Sequence, residues 1–417
     1  MANLTVMLNR AVAAYNKGQL NEAEQLCQRI ITIKRNFFDA LHLVAVVQSG
    51  LGKKEEALAS YDRALKVRPD YAEALSNRGN TLKELKRFEE ALASYDRALK
   101  VRPDFADALY NRGLIRLLVG QYKDGWADHE WRWETTFFPS KRPKINVPIW
   151  QGEDLSGRHL LVFSEQGLGD VIQFARYLSL LVERKCKVTS LAPVQLKRLL
   201  KLSFQPIEIV SELEGIHGID FQVALMSLPH RFNTEPLSIP NKVPYLKIEP
   251  HLETRWKDRI GTQSFKIGIA WSGRPTHKND HNRSINLSLF LPLLDAQATF
   301  VSLQTDIRPN DAALLKEQEN ILNFGEELKD FSDTAAIISN LDLVISVDTS
   351  VAHLAGALGK PIWVLLPFIP DWRWLLDRED SPWYPTARLF RQDGTRVWDT
   401  VLARVHTALH DFVQIRP

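Results

Sequence analysis

The stretch that begins at Asp348 has the residue types of an anion-binding helix start. It follows an apolar run over residues 341–347 that is typical of a buried strand, and Asp348, Thr349 and Ser350 all favour the N-cap of a helix. The first N–H groups of a helix lack partners and carry a partial positive charge, so they bind anions such as a diphosphate. We therefore predict a diphosphate site here, with His353 on the same helix. The alternative is an ordinary capped helix with a core histidine.

A glycine-rich turn is a second candidate motif. Gly167 and Gly169 follow a predicted strand over residues 159–164, and Asp170 comes directly after them. Glycines permit a tight turn and a close approach of the backbone to a ligand. The third glycine of the dinucleotide-binding fingerprint is missing, so this turn is not predicted to bind a dinucleotide.

A basic loop over residues 272–284 follows another predicted strand. Lys278 and Arg283 in this loop can neutralise a leaving diphosphate, because the guanidinium fork of arginine matches phosphate oxygens. Ser284 and Gln304, which ends the next predicted strand, are predicted to bind the same ligand.

The elements that position these motifs follow from alternating apolar and helical segments after residue 158. Such alternation predicts parallel sheets in two α/β halves, in which ligands bind beyond the carboxyl ends of the strands. Every motif above lies at such an end. The predicted strands cover residues 159–164, 187–192, 207–210, 221–226, 266–271, 300–304, 321–324, 343–347 and 362–366, and the predicted helices include 171–184 and 397–412.

An internal repeat defines the first third of the chain. Residues 56–70 recur unchanged as residues 90–104, an offset of 34 residues, which is the period of a tetratricopeptide repeat. The register predicts three repeats and a modified fourth. Such helical hairpins stack into a solenoid whose concave face commonly binds an extended peptide.

Asparagines recur at one position of this array. The sixth position of successive repeats holds Asn9, Leu43, Asn77 and Asn111. We predict that Asn77 and Asn111 bind the backbone of a protein acceptor, although Leu43 interrupts the ladder. Solvated asparagines, a scaffold or a homo-oligomer surface are the alternatives.

These motifs resemble those of the ADP-heptose:lipopolysaccharide heptosyltransferase family of GT-B glycosyltransferases. The resemblance implies that Asp348, Thr349 and His353 bind the donor and that Asp170 is the catalytic base. A carboxylate in the cleft can accept the proton of an attacking hydroxyl. Glu165 is the second candidate for the base, and a simple helix cap is the alternative role for Asp170. The order of repeats before a GT-B pair resembles O-GlcNAc transferase, and bacterial proteins join these two parts.

The expected architecture is therefore multidomain. It comprises a repeat solenoid over residues 1–137, a linker over 138–157, an acceptor half over 158–260 and a nucleotide-sugar half over 261–417. The expected activity is that of an inverting, metal-independent glycosyltransferase without a cofactor, acting on a protein recruited by the repeats. A transferase for a surface glycan or lipid-linked acceptor, a non-catalytic adaptor with a degenerate GT-B domain, and a nucleotide-sugar epimerase are the alternatives.

Composition limits the partners and the cellular location that we expect for this protein. A net charge of +3 over 417 residues and the lack of a basic stripe argue against nucleic acid as a partner. No apolar run approaches the roughly 20 residues that span a bilayer, and the first residues lack the order of a secretion signal. Cys27 and Cys186 form no disulfide or zinc pattern, so a cytoplasmic location is expected. No metal ligands are predicted around His277 or His281.

Overall fold

The computed structural model describes residues 2–262 and 264–414, with the side chain of Ala2 outside the description. The chain divides into two compact units, Met1–Phe138 and Pro139–Pro417. The first unit is helical, and the second contains parallel sheets with helices between the strands. The predicted classes of both parts are therefore confirmed.

Helical hairpins build the first unit. Each predicted repeat contributes two antiparallel helices. The last helix of the unit is shorter than the others and is followed by a 3-10 turn at Glu130–Glu134. The helices are α1 (Ala2–Asn16), α2 (Leu20–Ile33), α3 (Phe38–Gly50), α4 (Lys54–Val67), α5 (Ala72–Glu84), α6 (Phe88–Val101), α7 (Ala106–Leu118) and α8 (Tyr122–His129).

Small residues let these helices approach one another. Ala57 and Ala91 are fully buried at equivalent positions of two repeats. Gly79 on α5 faces the ring of Tyr95 on α6, and a Cβ atom on Gly79 would lie 2.7 Å from that ring. The buried ring of Tyr95 fills the space that Gly79 leaves. The two helices of this hairpin can therefore pack closely only with a small residue at this position of the repeat.

The second unit begins with one parallel sheet, whose strand order is β3-β2-β1-β4. The stretch before it packs on this sheet, because Ile149 forms a β-bridge with Gln222 and Trp150 is buried. The elements are β1 (His159–Phe163), α9 (Leu168–Phe174), α10 (Arg176–Val182), β2 (Lys187–Leu191), α11 (Val194–Ser203), β3 (Glu208–Val210), β4 (Phe221–Ala224), α12 (Leu228–Arg231) and α13 (Pro250–Ile260).

A second parallel sheet follows, with the strand order β10-β9-β8-β5-β6-β7. Its elements are β5 (Phe265–Ala270), α14 (Asp280–Arg283), α15 (Leu287–Phe290), β6 (Ala298–Ser302), α16 (Pro309–Lys316), β7 (Ile321–Asn323), α17 (Phe331–Ser339), β8 (Leu343–Val347), α18 (Ser350–Ala357), β9 (Ile362–Leu366), β10 (Ala387–Arg391) and α19 (Asp399–Gln414).

The central strands of this sheet are the ones predicted best. β8 and β9 have the predicted bounds, because each is a short apolar run with every residue buried. β6 ends at Ser302, so Gln304 lies beyond the strand that it was predicted to end. The predicted helix at 171–184 is divided at Ala175 into α9 and α10.

Candidate functional site

The two halves of the second unit meet where α9 faces α18. A Cβ atom on Gly169 would lie 2.8 Å from Cδ2 of His353 and 3.4 Å from the Cα atom of Ser350. Only a residue without a side chain fits this approach, which explains the glycine. Two motifs that are about 180 residues apart in sequence therefore share one location, at the carboxyl ends of β1 and β8.

Asp170 is directed into this junction and also caps its own helix. Its Oδ2 accepts a hydrogen bond of 2.8 Å from the N–H of Gly167, and its Oδ1 contacts the Arg373 guanidinium. Burial raises the pKa of Asp170 above its usual range, while Arg373 counteracts part of this effect. Both roles considered for Asp170, helix cap and cleft carboxylate, are thus compatible with its geometry.

Arg373 is a central cation of the site, and the sequence interpretation missed it. Its Nε donates to Oε1 of Gln173 at 2.5 Å, and its Nη1 donates to Asp371 at 2.7 Å, in addition to the contact with Asp170. The guanidinium also lies 4.4 Å from the ring centroid of Trp372. The sequence feature that could have identified Arg373 as a site residue is its position beyond the carboxyl end of β9.

Asp348 lies at the end of β8, just before α18. Burial, followed by the nearby Asp371 carboxylate, raises the pKa of Asp348 to about 6, although Arg283 and Arg373 partly oppose the shift. A carboxyl group in this environment changes its charge near neutral pH. Perturbed titration of this kind is typical of functional sites.

The ring of His353 is enclosed by aromatic neighbours. Its Nδ1 lies 3.0 Å from the hydroxyl of Tyr384, its ring stacks on Trp374 with centroids 5.5 Å apart, and its Nε2 is 3.7 Å from Oδ1 of Asp348. Burial, then the positive charges of Arg373, Arg176 and Arg283, lower the pKa of His353 well below its usual range. The side chain is buried but remains in contact with the site.

Arg283 ties the basic loop to the start of α18. Its Nη1 donates a hydrogen bond of 2.9 Å to the main-chain oxygen of Asp348. The guanidinium lies over Gly273, where a Cβ atom would come within 2.5 Å of Nη2. This cation is therefore fixed beside the helix end that was predicted to bind a diphosphate.

Ser284 and Gln304, both predicted ligands of the nucleotide sugar, form hydrogen bonds with groups of this loop. Ser284 Oγ accepts a hydrogen bond of 2.9 Å from the N–H of Gly273 and donates to Asp280 at 2.6 Å. Gln304 accepts from the N–H of Ser272 at 3.1 Å and donates to the main-chain oxygen of Asp306. These contacts fix both side chains at the loop, and their binding of a nucleotide sugar stays a prediction.

The remaining predicted residues differ in exposure. Thr349 is the N-cap residue of α18, yet its side chain accepts no hydrogen bond from the described helix; its Oγ1 lies 3.1 Å from the Ser346 hydroxyl. Ser350 starts the helix beside Gly169. Lys278 lies in an exposed part of the loop, whereas Glu165 is buried.

Asn77 and Asn111 occupy equivalent places in the first unit. Asn77 is the sixth residue of α5 and Asn111 is the sixth residue of α7, and both are partly exposed. Within the part of the chain that the structure describes, no side-chain hydrogen bond is recorded for either one. The two asparagines therefore lie at equivalent positions of α5 and α7, and their binding of an acceptor stays a prediction.

The repeats are matched by two family models. A model described as TPR repeat matches residues 50–86 and 79–120, and one described as Tetratricopeptide repeat matches residues 3–36. Together they cover much of Met1–Phe138, which establishes that the N-terminal unit consists of tetratricopeptide repeats.

Protein FlbA of Caulobacter vibrioides is a relative with 28% identity over 334 residues. The match covers 72% of this chain, more than the 138 residues of the first unit can account for, so it extends into the α/β unit. The chain spans 54% of the length of FlbA.

Solved structures resemble part of the chain. MamA from Desulfovibrio magneticus RS-1 matches with 22% identity over 31% of this chain and 72% of its own, at a TM-score of 0.29. A tetratricopeptide repeat protein from Parabacteroides merdae matches with 26% identity over 33% of this chain and 54% of its own, at a TM-score of 0.30. Among the described residues, no helix has the length and apolarity to cross a membrane.

Proposed function

We propose that the protein is an inverting, metal-independent glycosyltransferase of GT-B type that uses a nucleotide-diphosphate sugar. The observation that carries this proposal is the ion pair between Asp170 and Arg373, formed where α9 meets the start of α18. At this junction a carboxylate, fixed cations and the N-terminus of α18 lie close together. These are the groups that a metal-independent sugar transfer needs.

The donor diphosphate would bind at the first turn of α18. The N–H groups of this turn and the guanidinium groups of Arg283 and Arg373 supply positive charge. Charge that grows on the leaving diphosphate is stabilised by these fixed donors, so the protein itself takes the part that a divalent ion plays in other transferases. His353, whose Nδ1 lies 3.0 Å from the Tyr384 hydroxyl, faces Asp348 with its Nε2 3.7 Å from Oδ1.

Asp170 would act as the general base. In a single displacement, the acceptor hydroxyl attacks the anomeric carbon, the bond from that carbon to the diphosphate oxygen breaks, and the hydroxyl proton passes to Asp170. Inversion follows from attack opposite the leaving group. Arg373 contacts Asp170 in this structure, and a bound diphosphate would compete for the same guanidinium. Donor binding would thereby release the carboxylate for catalysis.

The repeats would recruit a protein acceptor through Asn77 and Asn111. Each amide offers both a donor and an acceptor, which suits the N–H and C=O groups of an extended peptide. The rival adaptor function would be favoured by an Asp170 carboxylate directed away from the cleft, and Asp170 is directed toward Arg373. A glycan or lipid-linked acceptor is the second candidate, with the repeats serving assembly.

A binding and turnover screen tests the activity. Nucleoside diphosphates and nucleotide sugars are added to the full chain, and both the unfolding temperature and the release of nucleoside diphosphate are measured. A ligand that binds only the folded state raises the unfolding temperature. We expect one nucleotide class to stabilise the protein and its sugar to be consumed. Stabilisation without any turnover in the presence of acceptor lysate would favour the adaptor function, and no stabilisation by any member would contradict the proposal.

A further inference from the structure

A cluster of two histidines and one aspartate lies on the second unit, away from the proposed cleft. His406 and His410 are four residues apart on α19, so they face the same side of the helix. Asp295 ends the 3-10 turn Leu291–Asp295, just before β6 begins. Within residues 2–262 and 264–414, these are the residues whose His, Cys, Asp or Glu ligand atoms form a group of three or more.

The three side chains point their ligand atoms at one another. Nε2 of His406 lies 3.0 Å from Oδ2 of Asp295, and Nε2 of His410 lies 3.1 Å from Oδ1. The two Nε2 atoms are themselves 3.2 Å apart. Ligands about 2.0–2.2 Å from a shared zinc ion lie roughly 2.8–3.6 Å from one another, for octahedral to tetrahedral angles. The observed spacing therefore matches one triangular face of a coordination shell.

The same contacts also fit hydrogen bonds, because each Nε2 can donate a proton to one carboxylate oxygen of Asp295. The two Nε2 atoms lie only 3.2 Å apart in that arrangement. A cation bound by all three atoms would instead use the lone pairs of two neutral imidazoles and one carboxylate.

We propose that Asp295, His406 and His410 bind a divalent first-row transition metal such as Zn²⁺. Two imidazoles and one carboxylate suit this class of ion, whereas Mg²⁺ and Ca²⁺ prefer oxygen ligands. All three side chains are partly exposed, with 35%, 37% and 58% of the His406, His410 and Asp295 side chains accessible, so an ion and its remaining water ligands can enter.

The site would fasten the last helix to the sheet. Val401, Val405 and Leu409 on α19 are buried in the core of the second half, and the metal would add a link from the end of this helix to the turn before β6. Asp295 precedes β6, so the site lies at the amino edge of the sheet, opposite the strand ends that carry Asp348 and Gly273. The metal is thus structural and independent of the proposed sugar transfer.

Zinc titration of the full chain, purified without a histidine tag and stripped with a chelator, tests the site. By calorimetry we expect one equivalent of Zn²⁺ to bind, with at least a tenfold loss of affinity in His406→Gln, His410→Gln and Asp295→Asn. The matched control is His251→Gln, because His251 is an exposed histidine 3.4 Å from a carboxylate, that of Glu249. We expect this control to bind Zn²⁺ as the wild type does.

A second measurement separates ligation from folding. The apo variants should have the circular dichroism of the wild type, since the changed side chains are partly exposed. Zn²⁺ should raise the unfolding temperature of the wild type but not that of His410→Gln. Cu²⁺ bound to the wild type should show electron paramagnetic coupling to two nitrogens, reduced to one in His410→Gln. Failure of the wild type to bind Zn²⁺, or equal binding by all variants, would overturn the site and leave a hydrogen-bonded network.

Discussion

The side chains of Asp170 and Arg373 form an ion pair between residues that are 203 positions apart in the sequence. Asp170 belongs to the helix after β1, and Arg373 belongs to the segment after β9. Both groups are largely buried, with 17% and 7% of their side chains accessible. The pair therefore links the proposed catalytic carboxylate of one half to the cation of the other.

Asp170→Asn should abolish most turnover while it preserves nucleotide affinity. The amide is nearly isosteric, but it cannot take the proton of the acceptor hydroxyl. Loss of a general base costs about 10²- to 10⁴-fold in rate. Steady-state transfer and calorimetric nucleotide binding, measured on the same preparation, check this prediction.

The matched variant for this test is Glu165→Gln, since Glu165 is the other carboxylate near the turn and is buried. We expect it to retain transfer if it folds as the wild type does. Near-wild-type transfer by Asp170→Asn would limit Asp170 to its hydrogen bond with Gly167 and make Glu165 the candidate base.

Arg283→Ala should weaken nucleoside diphosphate binding by about 1.5–3 kcal/mol, the range for a hydrogen bond to a charged group. Its guanidinium is fixed beside the start of α18 by the bond to the Asp348 main chain. Lys278→Ala should have a smaller effect, because Lys278 is exposed. Isothermal titration with nucleoside diphosphate gives both values.

Gly273→Ala offers a more selective version of this test. The new methyl group would overlap the Arg283 guanidinium and displace it while the charge remains in the protein. We expect a loss of affinity close to that of Arg283→Ala. Unchanged affinity in Arg283→Ala and in Lys278→Ala would exclude the diphosphate from this position.

Asp348→Asn should stabilise the protein at neutral pH. The pKa of Asp348 is about 6 in the folded protein, above its ordinary value of 3.8. The folded state therefore binds this proton more tightly than the unfolded state, so the wild type loses stability as pH rises from about 4 to about 6. The loss amounts to about 3 kcal/mol at most, since a tenfold change in proton affinity corresponds to about 1.4 kcal/mol.

The comparison to make is the urea midpoint of the two proteins, followed by tryptophan fluorescence. Above about pH 6 the variant should be the more stable one, and the difference should shrink as pH falls toward about 4. A wild type that is more stable than Asp348→Asn at pH 7 would show that the charged form is favoured in the fold, contrary to this argument.

Sequence patterns predicted the sheets well where strands are central. β10 was missed because Ala387–Arg391 contains two arginines and forms the edge of its sheet, where one side chain of the alternating pattern is exposed. A central strand is apolar on both faces, so its sequence is recognised as a strand. An edge strand that carries charged residues has a sequence pattern similar to that of a loop.

Sequence patterns also located the strand ends that carry the candidate site, since parallel strands bring their carboxyl ends to one edge. Arg373 was not predicted as a site residue, because its partners Asp170 and Gln173 lie about 200 residues away. The hydrogen bond between Gln304 and the N–H of Ser272 could not be predicted, because no sequence pattern near Gln304 indicates it.

Chelation should leave transfer intact at temperatures well below unfolding. The diphosphate charge is met by arginines and a helix end in the proposed mechanism. Excess EDTA should therefore not change the initial rate at 25 °C, even if it removes an ion from Asp295, His406 and His410 and lowers the unfolding temperature. A rate that falls with EDTA and recovers with Mg²⁺ or Mn²⁺, but not with Zn²⁺, would refute metal-independent transfer.

The repeat groove should determine the acceptor and leave donor chemistry unchanged. Replacing both Asn77 and Asn111 by Ala removes the two amides that we propose to bind a peptide backbone, at equivalent positions of α5 and α7. Each lost hydrogen bond is worth about 0.5–1.5 kcal/mol, so kcat/KM for a protein acceptor should fall by roughly tenfold. Hydrolysis of the donor in the absence of acceptor should stay constant.

Asn21→Ala is the matched control, because Asn21 is an exposed asparagine on α2 of the same unit. We expect it to match the wild type in both assays. An equal loss of transfer and hydrolysis in the double variant would indicate a folding defect, which circular dichroism would reveal. Full transfer by a correctly folded double variant would mean that this groove does not hold the acceptor, and a glycan or lipid-linked acceptor would then be favoured, because such a molecule has no peptide backbone for these amides to bind.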